Sequence, residues 1–152
     1  MPSFEPWVIR PARASERSAL EALQWRASLV WEAYREQLLA NPDAIDIPAE
    51  HLHTTDVAER QAQLLGFVTV LMGAQGGDAE LDGLFVEPTQ WRQGVGRSLV
   101  DAAQARARAG GAGALHVIAN PLAQDFYTSL GFLVVGEHQT RFGPAPTMRL
   151  PL

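Results

Sequence analysis

The chain has 152 residues, of which 47% are hydrophobic and 19% charged, a globular composition that predicts one domain over residues 1–152 with a single core. A net charge of −5 speaks against nucleic acid as a partner, because affinity for a phosphate backbone needs clustered positive charge. There is no cysteine and all twelve basic residues are arginine, so a thiol nucleophile, a disulfide, a thiolate metal site, a Schiff-base lysine and the lysine of a P-loop are all excluded.

No apolar run approaches the roughly 20 residues that a membrane helix needs. The opening "MPSFEPWVIRPARASERS" lacks the basic end and apolar block of a secretory signal, so a cytoplasmic protein without membrane contact is expected. A first strand is predicted at Trp7–Arg10, stopped by Pro11. From Ser15, read as an N-cap, apolar residues recur at Leu20, Leu23, Ala27, Val30, Tyr34 and Leu38, which predicts one long amphipathic helix or two with a break near Ser28. "NPDAIDIP", Asn41 to Pro48, reads as a loop able to border a substrate pocket.

"DVAER" and "LLGFVTVLMG" around "QAQ" predict a β-hairpin. "QGGD", Gln75 to Asp78, is a turn before a strand at Ala79–Val86, and Pro88 stops that strand. A helix follows from about Gly94 to Ala109, with Val95, Leu99, Ala102, Ala103 and Ala107 on one face, and "GGAG" ends it. "ALHVIA" is a strand of buried type, and "NPLAQDFYTSL" a short helix capped by Asn120. "FLVVGEH" and "TMRL" finish as strands around "FGPAP". The order is β, α, β-hairpin, β, α, β, α, β, β, an α/β or α+β sheet.

The stretch "FVEPTQWRQGVGRSLV", Phe85 to Val100, runs from strand through glycines into helix. Such a turn aims backbone N–H groups at an anion from the positive end of a helix dipole. Gly94 and Gly96 allow close approach, Arg92 and Arg97 flank the turn, and Ser98 adds a hydroxyl. A dinucleotide fingerprint would need a third glycine where Leu99 stands, and a P-loop needs a lysine. A pyrophosphate cradle of the acyl-CoA type is left, beside the simpler reading of close strand–helix packing.

The chain resembles the GNAT acetyltransferase superfamily. The cofactor motif of that family, Gln/Arg-x-x-Gly-x-Gly/Ala between a strand and a helix, is matched by "WRQGVG", and a downstream signature by "NPLAQDFYTSLGF", Asn120 to Phe132. Trp91 departs from the motif's first position, which removes a side-chain phosphate contact there and would let the indole cover part of the cofactor. The resemblance implies a mixed, mainly antiparallel central sheet with a splayed pair of strands, flanked by about four helices. It implies binding of acetyl-CoA by Leu84, Phe85, Val86, Arg92, Gln93, Gly94, Val95, Gly96, Arg97, Ser98, Asn120, Phe126 and Tyr127, with Gly83 suited to a bulge beside the thioester site.

Such an enzyme passes acetyl directly to a primary amine of a small molecule, peptide or protein. A phenol can protonate the departing thiolate, which gives Tyr127 the role of general acid by resemblance. Glu80 and Asp82 alternate onto one strand face and are the candidate bases, Glu80 preferred; His116 is a further candidate base or a core histidine. His51 and His53 would share a face in an extended segment but lack a third ligand, so no metal is expected. Asp43 and Asp46 hint at a cationic acceptor. The same fold without catalysis would be an acyl-CoA-binding sensor, and the exposed edges of such a sheet can pair two copies as a homodimer.

Overall fold

The computed structural model describes residues 6–73 and 77–152. Among the described residues, seven strands form a sheet in the order β1-β2-β3-β4-β5-β7-β6: β1 Val8–Pro11, β2 Thr55–Arg60, β3 Gln63–Leu71, β4 Ala79–Val86, β5 Ala114–Ile118, β6 Leu133–Thr140 and β7 Gly143–Pro151. The described residues also form four α-helices, α1 Arg17–Leu29, α2 Glu32–Ala40, α3 Val95–Ala109 and α4 Gln124–Ser129. The pairs β1/β2, β2/β3, β5/β7 and β6/β7 are antiparallel, and β4/β5 is parallel. The element order is the one the sequence predicts. Of the expected "QGGD" turn, Gln75 and Gly76 lie outside the described residues.

The chain falls into two compact units, Met1–Thr69 with Gly83–Ala102, and Val70–Asp82 with Ala103–Leu152. In the first, Leu20, Leu23, Ile47, Leu52, Val57 and Phe67 form one buried cluster, with Ala12, Leu64 and Phe85 against it. Burying each large apolar side chain contributes about 1.5–3 kcal/mol. Of the predicted helical stripe, Leu20, Leu23, Ala27 and Leu38 are buried as core packing, whereas Val30 is exposed. The stripe breaks at Val30–Trp31, two residues beyond Ser28. Ser15 is not its cap: Ala14–Glu16 is a 3₁₀ turn, closed by the Arg13 N–H donating to the Glu16 carboxylate at 2.8 Å. The carboxylate also takes the Arg10 guanidinium at 2.7 Å, and this hydrogen bond holds the Glu16 pKa below its ordinary value.

The loop Asn41–Pro48 is pinned to α1. Arg17 donates to the Ile47 carbonyl at 2.6 Å and pairs with Asp46 at 3.0 Å, while Glu21 accepts from the Ile47 N–H. Ile45 and Ile47 are buried. Asp46 already has a cationic partner within the chain, which weakens its case as an acceptor-binding charge.

In the second unit the buried residues include Leu81, Ala103, Ala107, Leu115, Val117, Tyr127, Phe132 and Met148. The "FGPAP" segment is not a loop: Gly143–Pro146 extends β7, paired with β6 through Glu137↔Pro146 and Gln139↔Pro144. A proline is tolerated there because the Pro146 carbonyl faces the Ala119 N–H at 2.9 Å, so its missing N–H points away from β6. No described helix is long and apolar enough to cross a membrane.

Candidate active site

In the first unit, β4 delivers Leu84, Phe85 and Val86 to the turn that opens α3. The Glu87 N–H donates to the Leu65 carbonyl at 2.8 Å, and Phe85 stacks on Phe67 with centroids 5.4 Å apart. Gly66 lets this strand end come close, since a Cβ there would stand 2.7 Å from the Phe85 carbonyl oxygen. The Trp91 indole N–H donates to the Val86 carbonyl at 2.8 Å, and its ring lies 5.3 Å from that of Trp31. Trp91 thus ties strand to turn; its indole N–H is committed to the backbone, and this role was not legible in the motif.

Arg92 and Gly94 both take left-handed backbone conformations, φ +66° and +95°. For Gly94 that conformation costs nothing in sterics, whereas for an arginine it stores on the order of 1 kcal/mol or more. The Gly94 carbonyl accepts from the Ser98 N–H at 3.1 Å and so begins α3. The N–H groups of Gly94, Val95, Gly96 and Arg97 fall at the helix start, where no acceptor lies one turn back. Arg92, Gln93 and Arg97 are exposed around them, and Ser98 is half-buried. A row of unclaimed amides, two flanking guanidiniums and a turn without a Cβ at Gly94 fit a pyrophosphate.

In the second unit, Asn120 accepts at Oδ1 from the Leu122 N–H at 2.9 Å and caps a 3₁₀ turn, Pro121–Ala123, that leads into α4. The cap is the predicted one, although the turn before α4 is tighter than an α-helix. The Tyr127 ring packs edge-on against Phe126 and Phe132 at 5.2 and 5.4 Å. Only 6% of Tyr127 is exposed, and burial pushes its phenol above its ordinary range. It therefore stays protonated at neutral pH.

The same unit holds the parallel pair. β4 and β5 are joined at Ala79↔Leu115 and Glu80↔His116, and no further pair joins them among the described residues although both strands continue. This is the expected splay. On that face, Arg149 holds both oxygens of Asp78 at 2.9 and 3.4 Å, and its hydrogen bond lowers the Asp78 pKa. Glu80 is half-buried and Asp82 exposed. His51 and His53 sit in a 3₁₀ helix, Ala49–Thr54, where residues two apart diverge by about 240° and do not share a face.

A model of the acetyltransferase (GNAT) family matches residues 17–132. The chain belongs to the GNAT family. No curated protein matches it in sequence, but solved structures do in fold. A GCN5-related N-acetyltransferase from Rhodopseudomonas palustris is 22% identical, covers 97% of each chain and superposes with a TM-score of 0.74. The PaiA N-acetyltransferase from Thermoplasma acidophilum, in complex with coenzyme A, is 18% identical over 97% of this chain and 100% of its own, with a TM-score of 0.74. An N-acetylglutamate synthase from Neisseria gonorrhoeae, complexed with coenzyme A and N-acetylglutamate, is 19% identical over 96% of this chain and 35% of its own, with a TM-score of 0.73. As a GNAT protein the chain takes acetyl-CoA as its cofactor.

Proposed function

We propose that this GNAT protein is an N-acetyltransferase that moves acetyl from acetyl-CoA directly to a primary amine of a small molecule, peptide or protein. The observation that carries the reading is the left-handed turn at Arg92 and Gly94 opening α3, a strained backbone that an anion at the helix start would reward. Gly94, Val95, Gly96 and Arg97 would hold the pyrophosphate by backbone N–H groups, with Arg92, Gln93 and Ser98 at its border. Leu84, Phe85, Val86, Asn120 and Phe126 belong to the remaining cofactor contacts by family likeness. Acetyl-CoA supplies, when bound, an acetyl group activated as a thioester.

Three tasks fall to the protein. An ammonium of pKa near 10 must lose a proton before it can attack, and Glu80 is the better-placed acceptor, being half-buried where Asp82 is exposed. Tyr127, kept protonated by burial, has a proton to give to the departing sulfur. β4 and β5 part beyond Glu80↔His116 while both strands continue, which suits an extended ligand pairing as an added strand.

The test is a thermal melt of the purified protein with and without acetyl-CoA. A ligand at about a hundred times its Kd adds about 2.7 kcal/mol, a rise of roughly 5–11 °C at this size. That rise, followed by thiol release with an amine panel, is the expected result; no shift at millimolar acetyl-CoA would overturn the reading.

A further inference from the structure

The turn that opens α3 is held from outside as well as from within, by other parts of the first unit. Arg26 of α1 donates to both oxygens of the Glu87 carboxylate, at 2.9 and 2.8 Å. Arg60 of β2 donates to the Gln90 side-chain oxygen at 2.8 Å. Trp91 meets the Trp31 ring, with centroids 5.3 Å apart and planes inclined by 31°. Trp31 stands between α1 and α2 and is the N-cap residue of α2, yet its side chain makes no capping hydrogen bond.

Three local preferences are overruled along this line of contact. A tryptophan is a poor N-cap, because its one polar atom is a donor and the unclaimed groups at a helix start are donors too. Trp91 stands where the family motif has Gln or Arg, and Arg92 takes a left-handed conformation, φ +66°, that favours glycine. Such conformations persist where surrounding contacts over-determine them, and they gather at functional sites. The Trp91 indole is fixed at two points: its N–H on the Val86 carbonyl at 2.8 Å and its ring against Trp31. If Arg92 relaxed to an ordinary conformation, the peptides that follow would rotate and the amides at the start of α3 would lose their common aim. Affinity for an anion would then fall in proportion to the fraction of molecules that keep the turn in shape.

We propose that Trp31 is a positioning residue for acetyl-CoA: its ring clamps the Trp91 indole on Val86 and so keeps the turn at Arg92 and Gly94 in the shape that presents the α3 amides to the pyrophosphate. The ligand in this scheme rests on the reading of that turn as the cofactor cradle; the ring contact does not. Trp31 touches neither cofactor nor amine and moves no proton, so it acts on binding and leaves the chemical step alone. The segment between α1 and α2 thereby sets cofactor affinity although it lies 60 residues before the glycine motif.

Isothermal titration calorimetry with acetyl-CoA, well below the melting point of each variant, tests this without turnover. Trp31 is half-buried, so Trp31→Leu opens no core cavity, and leucine is as poor a cap as tryptophan. Trp31→Leu should raise the Kd about three- to tenfold, within what one aromatic pair supplies, and Trp31→Phe should recover most of the loss. In a Trp91→Leu background, Trp31→Leu should add less than about twofold, since the two act as one contact. In steady-state kinetics the KM for acetyl-CoA should rise with the Kd while kcat stays within about twofold. An unchanged Kd in Trp31→Leu, even with a lower melting point, overturns the proposal, and so does full additivity with Trp91→Leu. Gly96→Val separates the clamp from the reading beneath it. If Gly96→Val abolishes binding and Trp31→Leu leaves it intact, the clamp alone fails. If the wild type does not bind acetyl-CoA, both fail.

Discussion

The turn that opens α3 and the parting of β4 from β5 are built by different means. The turn is backbone: left-handed residues at Arg92 and Gly94, amides at a helix start, and one indole N–H tying it to Val86. The parting is a matter of side chains in register: Glu80, His116 and Arg149 side by side, with Asp78 clamped at the edge. A backbone site should tolerate changes of side chain that leave its dihedral angles alone, such as Trp91 at the position where the family motif has Gln or Arg. A register site depends on the identity of each side chain in its row.

The sharpest way to break this contrast is Gly96→Val. A branched side chain in the first turn of α3 should cost more than a hundredfold in acetyl-CoA affinity, removing a melting shift worth about 2.7 kcal/mol, whereas an unchanged affinity by calorimetry would place the anion site elsewhere. Tyr127→Phe comes next. It should lower kcat by about a hundredfold, near the lower end for general acid catalysis, while cofactor affinity stays within a few fold; equal turnover would remove the phenol from the mechanism.

Gly66→Ala probes the strand end behind the turn. Its Cβ would meet the Phe85 carbonyl oxygen at 2.7 Å, a backbone atom that cannot swing aside, so a loss of about 1–3 kcal/mol is expected in urea unfolding. Gly83→Ala meets only the Phe85 ring edge, at 2.9 Å, and should cost less; the reverse order would mean that β4 yields more readily than the ring.

Asp78→Asn should have the smallest effect. The Asp78 pKa is lowered by Arg149 from an ordinary value of 3.8, so its contribution to stability is present above that pH and fades as pH falls through the lower folded value. The melting points of wild type and Asp78→Asn should therefore differ at pH 7 and converge toward pH 2. A gap that persists in acid would show that the pair acts by shape and not by charge.

The two units also differ in how much of them could be read beforehand. The β-hairpin was legible from "QAQ" between apolar runs, yet its two turn residues, Gln61 and Ala62, take φ of 51° and 64° without a glycine, conformations that hairpin twist selects against propensity. The prolines of "FGPAP" read locally as a connection, and there the long-range pairing of β7 with β6 overrode the local signal.

What the sequence determined by itself is the order of elements, the glycine turn and its helix, and the Asn120 cap, because each rests on contacts within about four residues along the chain. Tertiary structure alone decided that the parallel ladder ends at Glu80↔His116, that Arg149 occupies Asp78, that Trp91 binds Val86, and that Gly66 must have no side chain. Register is a relation between strands many residues apart, and a slip of one residue turns every side chain to the other face. The composition of each strand shows which residues could meet, and the pairing chooses among them.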